Sequence, residues 1–186
     1  MKKTIEYEFK EHIKIAESLF NLTIEIENSA KICIESLKNG GKIILFGNGG
    51  SASDAQHIAA ELVGRYKLNR KGLPALSLNT DTSVITSIGN DFGYDKIFER
   101  QVEAIANSKD VIIGISTSGN SQNVLNGLKM ATKLNCKTIG LTGKDGGEMN
   151  HNCKVNLNVP SSNTARIQEM HIVIGHTLCH LIEQGL

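Results

Sequence analysis

Residues Ile112 to Asn123 read IIGISTSGNSQN, an apolar run that ends in hydroxyls and a glycine and passes straight into a helical pattern. Val111–Ile115 has the composition of a strand buried on both faces. Ser121 is placed to cap the helix that follows. Between them stand Ser116, Thr117, Ser118, Gly119 and Asn120, so hydroxyls and backbone N–H groups converge on one helix N-terminus. That end carries roughly half a positive charge, and its first N–H groups lack helical partners. It is a seat for a phosphate monoester. An ordinary Ser-rich turn capping its helix is the plainer alternative. Counting Ser121, four of the six residues 116–121 carry hydroxyls, more than capping requires.

The same strand, glycine loop and helix occur upstream. Lys42–Phe46 (KIILF) is a buried strand that runs into Gly47, Asn48, Gly49, Gly50 and Ser51, with a helix expected over 52–66. Glycines there permit positive φ and close approach of backbone to a ligand. The loop matches the dinucleotide fingerprint GxGxxG only loosely, and no acidic residue follows a second strand, so a dinucleotide site is not expected.

Further strands fall at Ala75–Leu78, Thr138–Leu141 and Val155–Val159. Helices are expected at Ile97–Ala106, from the opening stretch to Lys133, and at Arg166–Glu183, with a loop at 89–93 (GNDFG). Residues 4–38 read as a helical arm, most simply two helices, which Asn39, Gly40 and Gly41 stop. Strands alternating with helices mean an α/β fold with a mostly parallel sheet. The expected organisation is one domain, 1–186, with an arm over 1–40 and an α/β core over 41–186. Ligands of such sheets sit outside the carboxyl ends of the strands, where loops 47–51, 90–91 and 116–121 open.

The 186 residues are 40% hydrophobic and 21% charged, with a net charge of +1, which gives no reason to expect nucleic acid or membrane as a partner. Aromatic residues make up 4% and Trp is absent, which weakens base stacking further. No apolar run approaches the roughly 18 residues of a membrane span, and the N-terminal MKKTIEYEFKEH is too polar and acidic for a signal peptide. A cytoplasmic protein is expected. Cys33, Cys136, Cys153 and Cys179 form no CxxC pair and read as reduced core residues.

Taken together, GNGGSASDAQHIAAEL (47–62), GNDFG (89–93), GISTSGNSQNV (114–124), LTGKDGG (141–147) and RIQEMH (166–171) resemble the sugar isomerase (SIS) domain proteins, and among them the phosphoheptose isomerases. The combination is specific where no single piece is, and it extends from about residue 40 to the end. The resemblance implies a three-layer αβα sandwich around a five-stranded parallel sheet of flavodoxin-like order. It also implies a homotetramer with active sites between subunits. The reaction implied is sedoheptulose 7-phosphate to D-glycero-D-manno-heptose 7-phosphate, which opens the route to nucleotide-activated heptose for lipopolysaccharide or capsule.

An aldose–ketose isomerase moves a proton between C1 and C2 through an enediol while oxygens exchange protons, and each well-placed acid or base contributes about 10²–10⁴-fold. His57 and Glu61 stand four apart on one helix face; by itself that pair also fits a solvated face. The resemblance places both at the family's metal and catalytic positions and adds Gln168 and His176, so His57, Glu61, Gln168 and His176 are the implied ligands of one Zn²⁺ per subunit. Glu61 is the implied base and His176 its acid–base partner. Gln168 and His176 are eight residues apart. On a continuous helix that is about 12 Å of rise, a long reach for one metal. Either the helix starts after Gln168 or the ligands come from different subunits.

By the same resemblance, Asn48, Gly49, Gly50 and Ser51 hold sugar hydroxyls and Asn90 and Asp91 contact substrate. Glu61 and Gln168 also face it, and Ser116, Thr117, Ser118 and Ser121 take the phosphate. Arg65, four residues past Glu61, either orients it or forms an exposed ion pair. His180 reads as structural, and His151 and His171 as structural or exposed. Ala165 departs from the family pattern, where an Asp often stands, and this bears on fine specificity. The rival readings are a non-catalytic SIS tetramer of the kind that binds a replication initiator, a sugar phosphate sensor, and an isomerase of another sugar phosphate.

Overall fold

The computed structural model describes residues 1–186. A helical arm, α1 (Lys2–Ser18), a 3-10 turn (Leu19–Leu22) and α2 (Thr23–Lys38), leads into an alternating α/β core. The core runs β1 (Ile43–Gly47), α3 (Gly50–Val63), β2 (Ala75–Ser77), α4 (Thr82–Phe92), a 3-10 turn (Tyr94–Lys96) and α5 (Ile97–Ile105). It continues with β3 (Val111–Ser116), α6 (Gln122–Lys133), β4 (Lys137–Gly143), α7 (Met149–Asn152), β5 (Val155–Val159) and α8 (Thr164–Gly185). No helix is long and apolar enough to cross a membrane.

All pairings in the sheet are parallel, in the order β2-β1-β3-β4-β5. That order reverses between β1 and β3, whose ends Gly47 and Ile115 stand side by side. The loops that follow these strands therefore open together at the crevice where such sheets bind ligands.

The strands are apolar throughout because both faces are covered. Successive residues of β1 point to opposite faces. Ile43 and Leu45 join the larger core with α2, α3 and α8. Ile44 and Phe46 join the smaller one with α5 and α6, where Phe46 stacks on Phe98 at 4.7 Å. Helices on both faces make the three layers that the resemblance implied. The helices α3 and α8 pack closely because Gly175 leaves room for Ile58, with which any Cβ would collide.

Three local expectations change. Residues 89–92 are not loop but the last turn of α4, and the chain leaves helix only at Gly93 (φ 90°). Asp81 caps α4 by accepting from the Val84 N–H, and one internal Gly costs only about 1 kcal/mol, too little to break it. α3 stops at Val63 rather than running to residue 66, because side chains from elsewhere take up the backbone groups of residues 61–68. Ser121 is the N-cap of α6 by position, yet its hydroxyl makes no cap bond and turns instead to Ser116 Oγ, 2.8 Å away. Cys33, Cys136 and Cys179 are buried, Cys153 is half-buried, and all four are unpaired.

Candidate active site

α3 and α8 lie against the same face of the sheet and bring three side chains together. His57 Nε2 is 2.9 Å from His176 Nε2 and 3.4 Å from Glu61 Oε1, and one ligand atom from each residue falls within 4.8 Å of the others. Two imidazole nitrogens and a carboxylate oxygen at this spacing suit a zinc ion, with bonds of about 2.0–2.2 Å to each. His57 is 48% and Glu61 26% exposed, so the centre opens outward from this chain. One turn before His57, Asp54 has a buried, unpartnered Oδ2; burial pushes its carboxyl up to about 6, with His57 opposing.

α8 is continuous from Thr164 to Gly185, so the possibility that it begins after Gln168 does not hold. Gln168 lies against Gly50, with no room for a Cβ between them, at the glycine loop rather than among His57, Glu61 and His176. The loop itself is well tied. Gly49 adopts φ 55°, Ser51 is buried, and its N–H donates to Asn48 O at 3.0 Å.

Across the crevice, Ser116 Oγ is 2.8 Å from Ser121 Oγ and 3.4 Å from Ser118 Oγ, and Asn120 N–H donates to Ser118 Oγ at 3.1 Å. Thr117 is half-buried beside them. Gly119 (φ 67°) allows the loop to pass under the Gly146 carbonyl, where a Cβ would collide. Three hydroxyls and the head of the twelve-residue helix α6 thus face one way, an arrangement suited to a phosphate dianion.

Asn90 and Asp91 are exposed on the last turn of α4, where Asn90 Nδ2 donates to Asp91 Oδ1 at 2.8 Å. Neither hydrogen-bonds to the glycine loop or to the 116–121 loop. Arg65 makes no ion pair with Glu61, which neighbours His57 instead. His171 is fully buried and donates from Nε2 to Thr142 O at 2.9 Å; burial lowers it to about 4. His180 sits 3.5 Å from Lys67 Nζ, and His151 is exposed.

A SIS domain family model matches residues 9–143. A curated phosphoheptose isomerase of Aliarcobacter butzleri is 59% identical over 100% of this chain and 99% of its own length. One from Helicobacter hepaticus is 54% identical over 98% and 93%. This chain belongs to the phosphoheptose isomerase family of SIS domain proteins. The solved structure of phosphoheptose isomerase GmhA from Neisseria gonorrhoeae is 43% identical, with a TM-score of 0.94 over 98% of each chain. A capsule-associated phosphosugar isomerase structure from Bacteroides fragilis, 20% identical with a TM-score of 0.67 over 97% of this chain and 90% of that one, shares the fold alone.

Within this phosphoheptose isomerase fold, three polar residues that were assigned no role from the sequence, Asn79, Tyr94 and Asn123, help to organise the crevice. Asn48 and Asn123 exchange side-chain amide bonds at 2.8 Å each way, which locks the glycine loop to α6. Tyr94 Oη donates to Asn48 Oδ1 at 3.0 Å. Asn79 receives the Gly47 N–H at 3.2 Å and donates to Gly47 O at 2.8 Å, in place of a sheet partner. Their only sequence signal is an amide or phenol just past a strand or inside a first helical turn.

Proposed function

We propose that this chain interconverts sedoheptulose 7-phosphate and D-glycero-D-manno-heptose 7-phosphate through an enediol. The observation that carries this reading is the meeting of His57, Glu61 and His176 from two helices, in a chain 59% identical over its full length to a named phosphoheptose isomerase.

The loop Ser116–Ser121 and the head of α6 hold the phosphate. Asn48, Gly49, Gly50 and Ser51 hold sugar hydroxyls, with Gln168, Asn90 and Asp91 assigned to the substrate as well. Glu61 takes the proton from C1 while His176 protonates O2, which leaves the enediol. His176 then removes the O1 proton as Glu61 delivers its proton to C2, and the aldose is formed. Proton bookkeeping closes without an external acid or base.

His57, Glu61, His176 and the Gln168 of a neighbouring copy would hold Zn²⁺, which would supply positive charge beside the sugar oxygens; His176 would ligate through one ring nitrogen and exchange its proton at the other. Glu61 has a second oxygen left for substrate when one faces the metal.

We assign the working state as a homotetramer with shared active sites. Three features support it. The His57–Glu61–His176 centre is open to one side. Glu61 lies eleven residues past the first residue of α3, about 16 Å along the helix from the glycine loop of its own chain. And the arm exposes Phe9 (66%), Phe20 (81%) and Ile24 (69%). Its product is the precursor of nucleotide-activated heptose for surface polysaccharide.

Turnover of sedoheptulose 7-phosphate by the purified protein, with and without a chelator and beside Glu61→Gln, tests the reading. Aldose formation that the substitution abolishes is expected. Tight binding of the sugar phosphate by metal-replete wild type without any conversion would replace the isomerase with a binding protein.

A further inference from the structure

Residues 65–72 leave α3 and return toward β2, and a side chain from α8 orders them. Glu183 stands seven residues beyond His176, on the same side of α8, and its side chain is fully buried. Its carboxylate accepts the N–H groups of Tyr66 (2.8 Å), Lys67 (2.9 Å) and Leu68 (3.1 Å), and Oε1 pairs with Arg70 Nε at 2.9 Å. Arg70 in turn donates to Leu62 O at 2.8 Å and to the backbone carbonyl of Glu61 at 3.0 Å. One clasp therefore joins the end of α3, which carries His57 and Glu61, to α8, which carries His176.

The residue this clasp presents is Tyr66. Its ring lies nearly parallel on the His176 imidazole, with centroids 5.3 Å apart and planes 22° apart. His57 meets the same imidazole edge-on, at 5.0 Å and 63°. The terminal torsion of a histidine is broad, so nothing within α8 alone sets where Nε2 points. A flat ring pressed on one face removes that freedom. The Tyr66 hydroxyl makes no hydrogen bond within the chain, so the ring face is the part in use.

We propose that Tyr66, seated by Glu183 and Arg70, is a positioning residue that fixes the imidazole plane of His176 and keeps Nε2 directed at His57 and Glu61. The inference rests on the reading of His57, Glu61 and His176 as the metal and proton-transfer centre. Groups that orient a metal ligand from behind typically change metal affinity or activity about 10–100-fold when removed.

The test uses metal-stripped, full-length wild type, Tyr66→Ala, Tyr66→Leu and Tyr66→Phe. Each is titrated with Co²⁺, whose visible spectrum reports the donor set, and is assayed with sedoheptulose 7-phosphate. Tyr66→Leu keeps volume without a flat ring and guards against simple loss of packing. Expected is Co²⁺ binding about tenfold weaker or more in Tyr66→Ala and Tyr66→Leu, with an altered spectrum. Their kcat falls by a similar factor while KM stays within about twofold, and Tyr66→Phe restores all of these. Unchanged Co²⁺ affinity and spectrum in Tyr66→Leu would overturn the proposal, as would a Tyr66→Phe variant as impaired as Tyr66→Ala. The Co²⁺ titration needs no turnover. A wild type that binds Co²⁺ but isomerises nothing removes the isomerase reading, while the variants still decide the role of Tyr66.

Discussion

Glu61 has one oxygen 3.4 Å from His57 and no arginine partner. Glu61→Gln keeps the shape and removes the base. The expected loss in kcat is about 10²–10⁴-fold with little change in KM, read by steady-state assay. Ser116→Ala removes a buried hydroxyl from the loop proposed to hold the phosphate. It should raise KM about tenfold or more while leaving kcat nearly intact, since a hydrogen bond to a charged group contributes about 1.5–3 kcal/mol. Burial lowers His171 to about 4 from an ordinary 6.5, with its bond to Thr142 O opposing. The unfolded chain takes the proton more readily between those values. The stability that depends on neutral His171 is therefore complete above about pH 6.5 and falls as pH drops toward 4, and His171→Gln should flatten a Tm-against-pH curve in that window. At this scale the spacing of His57 and Glu61 was legible, since both ride one helix. Asn79 and Asn123 were not, because what they do depends on which strand end and which helix meet across the crevice.

Among elements, α8 carries the most. It spans both Gln168 and His176 without a break and carries Glu183 in its last turn. Burial would push the Glu183 carboxyl up, but three backbone N–H groups and Arg70 bring it down to about 2 from an ordinary 4.5. Its contribution to stability is fully present above about pH 4.5 and is lost as pH falls toward 2. Glu183→Gln leaves Arg70 without its charge partner. It should cost about 3 kcal/mol or more at neutral pH and remove much of the acid dependence, measured by urea unfolding across pH. The periodicity of α8 was plain in the sequence, and its apolar circumference announced packing on several sides. The end of α3 was not plain. Residues 64–66 are compatible with helix, and only a carboxylate from the far end of the chain draws them out of it. The turn over 89–93 misled in the opposite sense, since Gly89, Asn90 and Asp91 read as breakers but the cap at Asp81 carries α4 through to Phe92.

For the molecule as a whole, the α/β alternation and the mostly parallel sheet followed from apolar runs and the glycine loops after them, whereas the strand order and the three layers came with the family resemblance. What the linear pattern did not reveal is that α1 buries none of its residues in a single chain. Phe20→Glu, on the 3-10 turn between α1 and α2, should shift the protein from the proposed tetramer toward smaller species in multi-angle light scattering and lower activity with it. An unchanged tetramer would relocate the interface away from the arm.

The larger core joins α2, made early in the chain, to α8, made long after it. During synthesis at about 5–20 residues per second, the apolar face of α2 that meets α8 stays uncovered until that helix is made. Arrival of α8, rather than emergence of any one strand, is then the event that closes the larger core. A chain interrupted before α8 would leave the apolar face of α2 that meets it uncovered and mark the product for degradation.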